Sequence, residues 1–257
     1  MEILRKWLAG RETVKVREEH GVRQLHIGGS AIQSAIRLDD PDALALDYVR
    51  AMMAFLLFCP RPRDVLMVGL GGGSMARFVR QRMRRARVTV AEINPEVLAA
   101  ARKYFHFPED DARLKTVIAD GAELVSAYRK NVDVLVVDGF VNGSPAKSLC
   151  TQPFYDAAFA ALREGGVLVA NFMSDDKRLA RHCERIEKSF GRQPVQLLAE
   201  EKDNLIVFAM RGGPSRIAWG ELKARAKEAK TLYDLDFDKN FVSLRRRNPH
   251  TERFLTI

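Results

Sequence analysis

The chain has 257 residues, 47% hydrophobic and 29% charged, and its 42 Lys and Arg against 33 Asp and Glu give a formal charge of +9. A chain of this length buries roughly 70–75% of its unfolded surface, so a core forms without staples, and the composition excludes a disordered or fibrous protein. Cys59, Cys150 and Cys183 are odd in number and share no close spacing, which argues against a disulfide framework or zinc knuckle and fits a reducing cytoplasm.

Met1 to Trp7 has no apolar stretch of signal-peptide length, and the greasiest run, 51–58, falls far short of a membrane span. The surplus charge sits in two segments, Arg77, Arg80, Arg82, Arg84, Arg85 and Arg87, and then Arg245, Arg246 and Arg247. Setting these arginines aside leaves the two signs equal, so a nucleic-acid-binding reading rests on two short stretches.

Alternating runs at 13–16 and 23–27 flank Glu-Glu-His-Gly (18–21) and predict a hairpin, with a third strand at 31–38. From Pro41 the apolar spacing turns helical, with Asp40 as the expected N-cap, and the helix should stop before Cys59-Pro60. After Pro62 the texture becomes regular. Short apolar strands at 65–69, 88–91, 114–119, 132–137 and 166–171 are separated by helical patterns to about residue 84 and over 95–104, 122–128 and 152–162. That alternation means βαβ units and a parallel sheet covered on both faces. Strands at 195–198 and 205–210 have no helical spacing between them and should pair antiparallel at an edge; a helix is expected at 219–227 and then an irregular basic tail. The organisation expected is a β-rich extension over 1–60 and one α/β domain over 61–257.

The sharpest local signal is the apolar strand entering Gly69-Leu-Gly71-Gly-Gly73-Ser74 and then a helix. Glycines allow the tight turn and close backbone approach, and a helix N-terminus offers free N–H groups to a ligand. Glu92 ends the next strand, roughly 20 residues on, where an acidic side chain can accept from ribose hydroxyls. Asp120, before Gly121, and Asp138 end the third and fourth strands on the same side. Asp120 reads equally as a helix N-cap.

These residues resemble the class I adenosylmethionine-dependent methyltransferase fold and, within it, the spermidine synthase (polyamine aminopropyltransferase) family. The likeness spans about 25–210: Ile32-Gln33, the Tyr48 helix, the Gly-Leu-Gly-Gly-Gly-Ser turn, Ala-Glu-Ile-Asn-Pro (91–95), Ala-Asp-Gly (119–121) and Val-Asp-Gly-Phe-Val-Asn-Gly-Ser-Pro-Ala (137–146). It implies a Rossmann-like, mostly parallel seven-stranded sheet with an antiparallel edge strand and an N-terminal β-hairpin extension. It also implies decarboxylated adenosylmethionine, or adenosylmethionine, as co-substrate, an amine as acceptor, a homodimer, and no metal. Residue by residue, Gly69, Gly71 and Gly73 cradle the nucleoside. Gln33 lies near its sulfur end, Glu92 on the ribose, and Asp120 with Gly121 at the adenine. Asp138 stands beside the attacking amine, with Tyr48 and Val141 in the substrate region.

The sequence departs from the family in the amine half. Gly72 and Val141 stand where the family usually has Asp, and Tyr48-Val49-Arg50 replaces Tyr-His-Glu. The expectation is an acceptor less cationic than putrescine, or a donor preference moved toward intact adenosylmethionine, whose carboxylate Gly72 would tolerate. A methyltransferase on an unknown acceptor is the alternative, and a nucleic-acid-binding or regulatory protein without chemistry a third reading. Tyr104, Phe105 and Phe107 are expected to pack rather than wall a pocket; His26 reads as structural or exposed, His106 and His182, near helix ends, have no Cys or Glu at metal-ligand spacing, and His250 lies in the tail.

Overall fold

The computed structural model describes residues 13–29, 32–141 and 143–257. Met1 to Trp7, Ala31 and Asn142, on which parts of the sequence reading fall, lie outside them.

The chain opens with an antiparallel sheet of β1 (Val14–Glu19), β2 (Val22–Ile27) and β3 (Ile32–Arg37). The short helix α1 (Asp47–Met52) and a 3-10 turn (Met53–Leu57) lead into β4 (Asp64–Val68). Then follow α2 (Ser74–Arg82), β5 (Arg87–Glu92), α3 (Pro95–Tyr104), β6 (Leu114–Ile118), α4 (Gly121–Ser126) and β7 (Val132–Val137). A small hairpin of β8 (Phe140–Val141) and β9 (Ser144–Pro145) precedes a 3-10 turn (Lys147–Cys150), α5 (Gln152–Ala161) and β10 (Leu162–Met173). The chain closes with α6 (Leu179–Phe190), β11 (Val195–Leu198), β12 (Asn204–Met210), β13 (Arg216–Ala218), α7 (Trp219–Tyr233), α8 (Asn240–Arg247) and β14 (Phe254–Thr256).

The main sheet has seven strands in the order β11-β12-β10-β7-β4-β5-β6. Strands β10, β7, β4, β5 and β6 run parallel, whereas β12 is antiparallel to both β10 and β11. Side chains alternate faces along a strand, and the core follows. Val65, Met67, Val134, Val136, Val167 and Val169 face a cluster that continues through Met53, Phe55, Leu57, Trp219 and Leu222 into Leu25 and Ile36 of the N-terminal sheet. Leu66, Val68, Leu135, Val137, Leu168 and Ala170 face Phe154, Tyr155, Ile186 and Phe190 of α5 and α6. Burial on both faces explains why these strands read as unbroken apolar runs. Strand order reverses between β4 and β7, which opens a crevice beyond their carboxyl ends.

The helix expected from Pro41 begins six residues later. Carbonyls that the helix would use are taken by side chains: Arg50 donates to Leu44 O at 2.7 Å and Ala45 O at 3.0 Å, and Arg77 donates to Pro41 O. Arg77 is not part of a basic surface either. It is 3% exposed and its guanidinium also donates to Phe105 O at 3.0 Å. The tail expected to be irregular holds α8, and its arginines stay away from the crevice, Arg245 stacking over the Trp219 ring at 4.2 Å. The sequence reading gives α6 no bounds, placing only a helix end near His182. Its stripe, Leu179, Cys183, Ile186 and Phe190 with buried His182, repeats at three- to four-residue spacing, so the helical periodicity is present in the sequence although it is not drawn out there.

Among the described residues no helix is long and apolar enough to cross a membrane.

Candidate active site

The glycine turn after β4 is shaped by close approach. Gly69 has φ +97°, and a Cβ there would lie 2.3 Å from the backbone oxygen of Asp138. Gly121 is equally confined, since a Cβ would meet Val68 Cγ1 at 2.2 Å. The ends of β4, β6 and β7 therefore touch through glycines. Gly73, φ +73°, is the N-cap of α2 and offers no side chain to the first turn, so the helix N–H groups stay available toward the crevice.

A cavity of about 640 Å³ fills that crevice. Its wall includes Gln33, Tyr48, Gly69, Gly71, Glu92, Asp120, Gly121, Asp138 and Val141, nine of the residues singled out from the sequence. Gly73 is the exception: it backs onto Phe107, whose ring would lie 2.3 Å from an added Cβ. Phe105 and Phe107 are buried behind the turn and Tyr104 is at the surface, so these aromatics pack.

Glu92 is 8% exposed and both its oxygens are engaged, Oε2 by Leu70 N–H at 3.0 Å and Oε1 by Asn94 N–H at 2.8 Å. Burial pushes its carboxyl above the usual range, and the backbone donors oppose that rise. A carboxylate oxygen has lone pairs to spare beyond one such bond, so hydroxyls of a sugar find acceptors here. Asp120 caps α4, its Oδ1 accepting from Ala122 N–H at 2.7 Å, and the residue lines the cavity.

Asp138 follows β7, its own N–H donating to Val68 O at 2.9 Å. Its Oδ1 accepts from Asn171 Nδ2 at 2.8 Å. Burial raises its pKa, and the hydrogen bonds from Asn171 and Tyr48 pull it back. The Tyr48 hydroxyl donates to Gln33 O at 3.1 Å and is held well above an ordinary phenol by burial and then by the Asp138 charge. It is therefore a hydrogen-bond donor at neutral pH, never a base.

Two of the family departures fall outside the cavity. Gly72 does not face it: a Cβ there would lie 2.7 Å from Ser34 Oγ and 2.8 Å from Phe105 Cδ1. Its bareness therefore makes no room for a donor carboxylate. Arg50 is turned onto the carbonyls of its own helix start and sits 3.6 Å from Asp47. Val141, by contrast, is 38% exposed on the rim.

Sequence reasoning passed over three wall or support residues. Lys147 and Arg178 line the cavity, Arg178 tied to both oxygens of Asp176 at 3.0 Å. Asn171 is 5% exposed at the end of β10. Asn171 had a signal, a polar residue ending an apolar strand at the ligand edge, the same cue that marked Asp138. Arg178 lies in a loop with no periodicity to flag it.

Residues 47–188 match the model of the spermine/spermidine synthase domain. The chain is 38% identical over 244 residues to a polyamine aminopropyltransferase of Chromobacterium violaceum, covering 95% of this chain and 94% of that one. It is 37% identical over 248 residues to one of Neisseria meningitidis serogroup A, covering 96% and 94%. Among solved structures, a spermidine synthase in complex with the transition-state analogue AdoDATO superposes with TM-score 0.68 at 22% identity, covering 91% of this chain and 85% of that one. Human methyltransferase-like protein 13 in complex with SAH superposes with TM-score 0.66 at 23% identity, covering 81% and 96%. At such identities the two structures speak for the fold alone, an α/β sheet shared by both kinds of transferase. The matched domain spans more than half of the chain and the sequence relatives nearly all of it, so the chain belongs to the spermine/spermidine synthase family.

Proposed function

We propose that this protein transfers the aminopropyl group of decarboxylated adenosylmethionine to an amine such as putrescine. The observation that carries the reading is a partly buried carboxylate, Asp138, on the wall of the same cavity as the Gly69 turn and Glu92. In this reading the glycine turn and the α2 N-terminus cradle the nucleoside, Glu92 accepts from its ribose hydroxyls, and Asp120 with Gly121 lies against the adenine. Gln33 and Tyr48 border the sulfonium end, and Val141 the acceptor. No step needs a metal.

The chemistry asks little beyond orientation and a proton acceptor. The amine nitrogen must be neutral to attack. Its lone pair forms the bond to the carbon next to sulfur, the C–S bond breaks with its electrons going to sulfur, and methylthioadenosine leaves. The proton lost from nitrogen passes to Asp138. A carboxylate whose pKa is raised by burial is a better base than one in water. Methyl transfer from the intact donor uses the same nucleoside wall, but the aminopropyltransferase relatives favour the first reading. A cytoplasmic homodimer completes it, on the resemblance to the family and on exposed Ile32 and Leu38 at the N-terminal sheet.

The test is Asp138→Asn. Transfer to the diamine should fall about 100-fold or more, while methylthioadenosine still raises the melting temperature as it does for the unaltered protein. Retained transfer, or preferential formation of adenosylhomocysteine from the intact donor, would refute the reading.

A further inference from the structure

Asp138 is the end of a hydrogen-bond chain that crosses three adjacent strands. The β7–β10 register pairs Val137 with Ala170, so the next residues along, Asp138 and Asn171, lie side by side at the sheet's carboxyl edge. Asn171 Nδ2 donates to Asp138 Oδ1 at 2.8 Å, and Asn204 Nδ2, at the start of antiparallel β12, donates to Asn171 Oδ1 at 2.9 Å. Asn204 Nδ2 also reaches Met173 Sδ at 3.9 Å.

The direction of this chain is fixed by its end. An ionised carboxylate only accepts, so Asn171 must present its amide nitrogen there and its carbonyl oxygen to Asn204. A flipped Asn171 would set oxygen against oxygen in a buried place, where an unmatched polar contact is costly. Without Asn204 the Asn171 carbonyl would lose the partner that holds it. The arrangement holds Oδ1 from the sheet side, and the same carboxylate is hydrogen-bonded by Tyr48 from α1.

We infer that Asn171 and Asn204 are positioning residues that lock the Asp138 carboxylate in the orientation in which it takes the amine's proton as the N–C bond forms and the C–S bond breaks. The inference rests on the proposed role of Asp138. The neighbouring charges do not complicate it. Tyr48, on α1, is the titratable group against Asp138; Asn171 and Asn204 are neutral; Arg178 is held by Asp176; Glu92 is bonded to backbone; Arg50 is turned away; and Lys147 stands on the rim.

The experiment follows Asp138 directly by ¹³C-carboxyl NMR titration, assigned with Asp138→Asn, alongside the pH profile of kcat/KM with putrescine and decarboxylated adenosylmethionine. Losing a donor to the charged form raises a carboxyl pKa. In Asn171→Ala both the carboxyl titration and the acid limb should move up by about one pH unit, with the methylthioadenosine Kd unchanged. In Asn204→Ala both should move the same way by less. Asn204 is half-buried and carries the test if Asn171→Ala fails to fold. A drop in activity with neither titration nor acid limb moved overturns the relay. A moved carboxyl titration with a fixed acid limb overturns the base role of Asp138, while leaving the relay in place.

Discussion

Gly69 and Gly21 share a left-handed backbone, φ +97° and +75°, and have opposite surroundings. Nothing lies within 4 Å of a Cβ at Gly21, whereas at Gly69 it would strike the Asp138 carbonyl at 2.3 Å. Alanine at Gly21 is expected to cost about 1 kcal/mol, the conformational penalty alone. Gly69→Ala adds a clash with backbone that cannot swing aside, and about 2 kcal/mol or more is expected together with loss of methylthioadenosine binding. Chemical unfolding and calorimetry read both, and equal effects at the two glycines would contradict this account. The contrast also shows what the sequence conveys about single residues. Glycine spacing after an apolar strand marked the turn, yet nothing in Gly-Leu-Gly-Gly-Gly distinguishes Gly71 on the cavity wall from Gly72 and Gly73, which back onto Phe105 and Phe107. That difference depends on side chains some thirty residues away.

Among elements, β11 is one of the two edge strands of the main sheet, and α8 covers it. Gln196 N–H donates to Asn248 Oδ1 at 2.7 Å and Asn248 Nδ2 donates back to Gln196 O at 2.8 Å, while Leu198 N–H donates to Ser243 Oγ at 2.8 Å. Side chains thus complete a ladder that would otherwise invite another strand. Asn248→Ala should destabilise the protein by about 2–3 kcal/mol in urea unfolding and increase self-association. A change under about 0.5 kcal/mol would mean that water replaces the asparagine freely. Helix α3 was legible to the residue because its boundary is local: Asn94 caps it, accepting from Glu96 N–H at 2.8 Å, and Pro95 opens it. The start of α1 and the whole of α8 were not, because the partners that decide them, Arg77 for one and Gln196 and Leu198 for the other, are distant in the chain.

At the scale of the molecule, the formal +9 and an acidic site coexist by separation. Arg80 pairs with Asp111 and Arg87 with Asp64, both away from the crevice, and none of the arginines in the two basic segments lines the cavity. The N-terminal sheet and the main sheet share one apolar cluster through Leu25 and Ile36, so the extension is packed to the catalytic layer. Its edge strand β3 still leaves Ile32 43% exposed, and Leu38, the residue after that strand, is 38% exposed. If that edge is where two copies meet, light scattering should give about twice the chain mass of 29.0 kDa, and Ile32→Asp should shift the population toward one chain. A mass of one chain for the unaltered protein would exclude the dimer.

The β8–β9 hairpin has a closed base, Ala146 N–H donating to Gly139 O at 2.9 Å, and it carries Val141 on the rim of the cavity. Beneath it the turn after β4 and the end of β7 are in close backbone contact where Gly69 meets Asp138. Under the proposed function, Val141 on this hairpin is the place where a substitution changes what the acceptor meets. A change of amine preference is therefore to be sought at that rim and not at the Gly69–Asp138 contact beneath it.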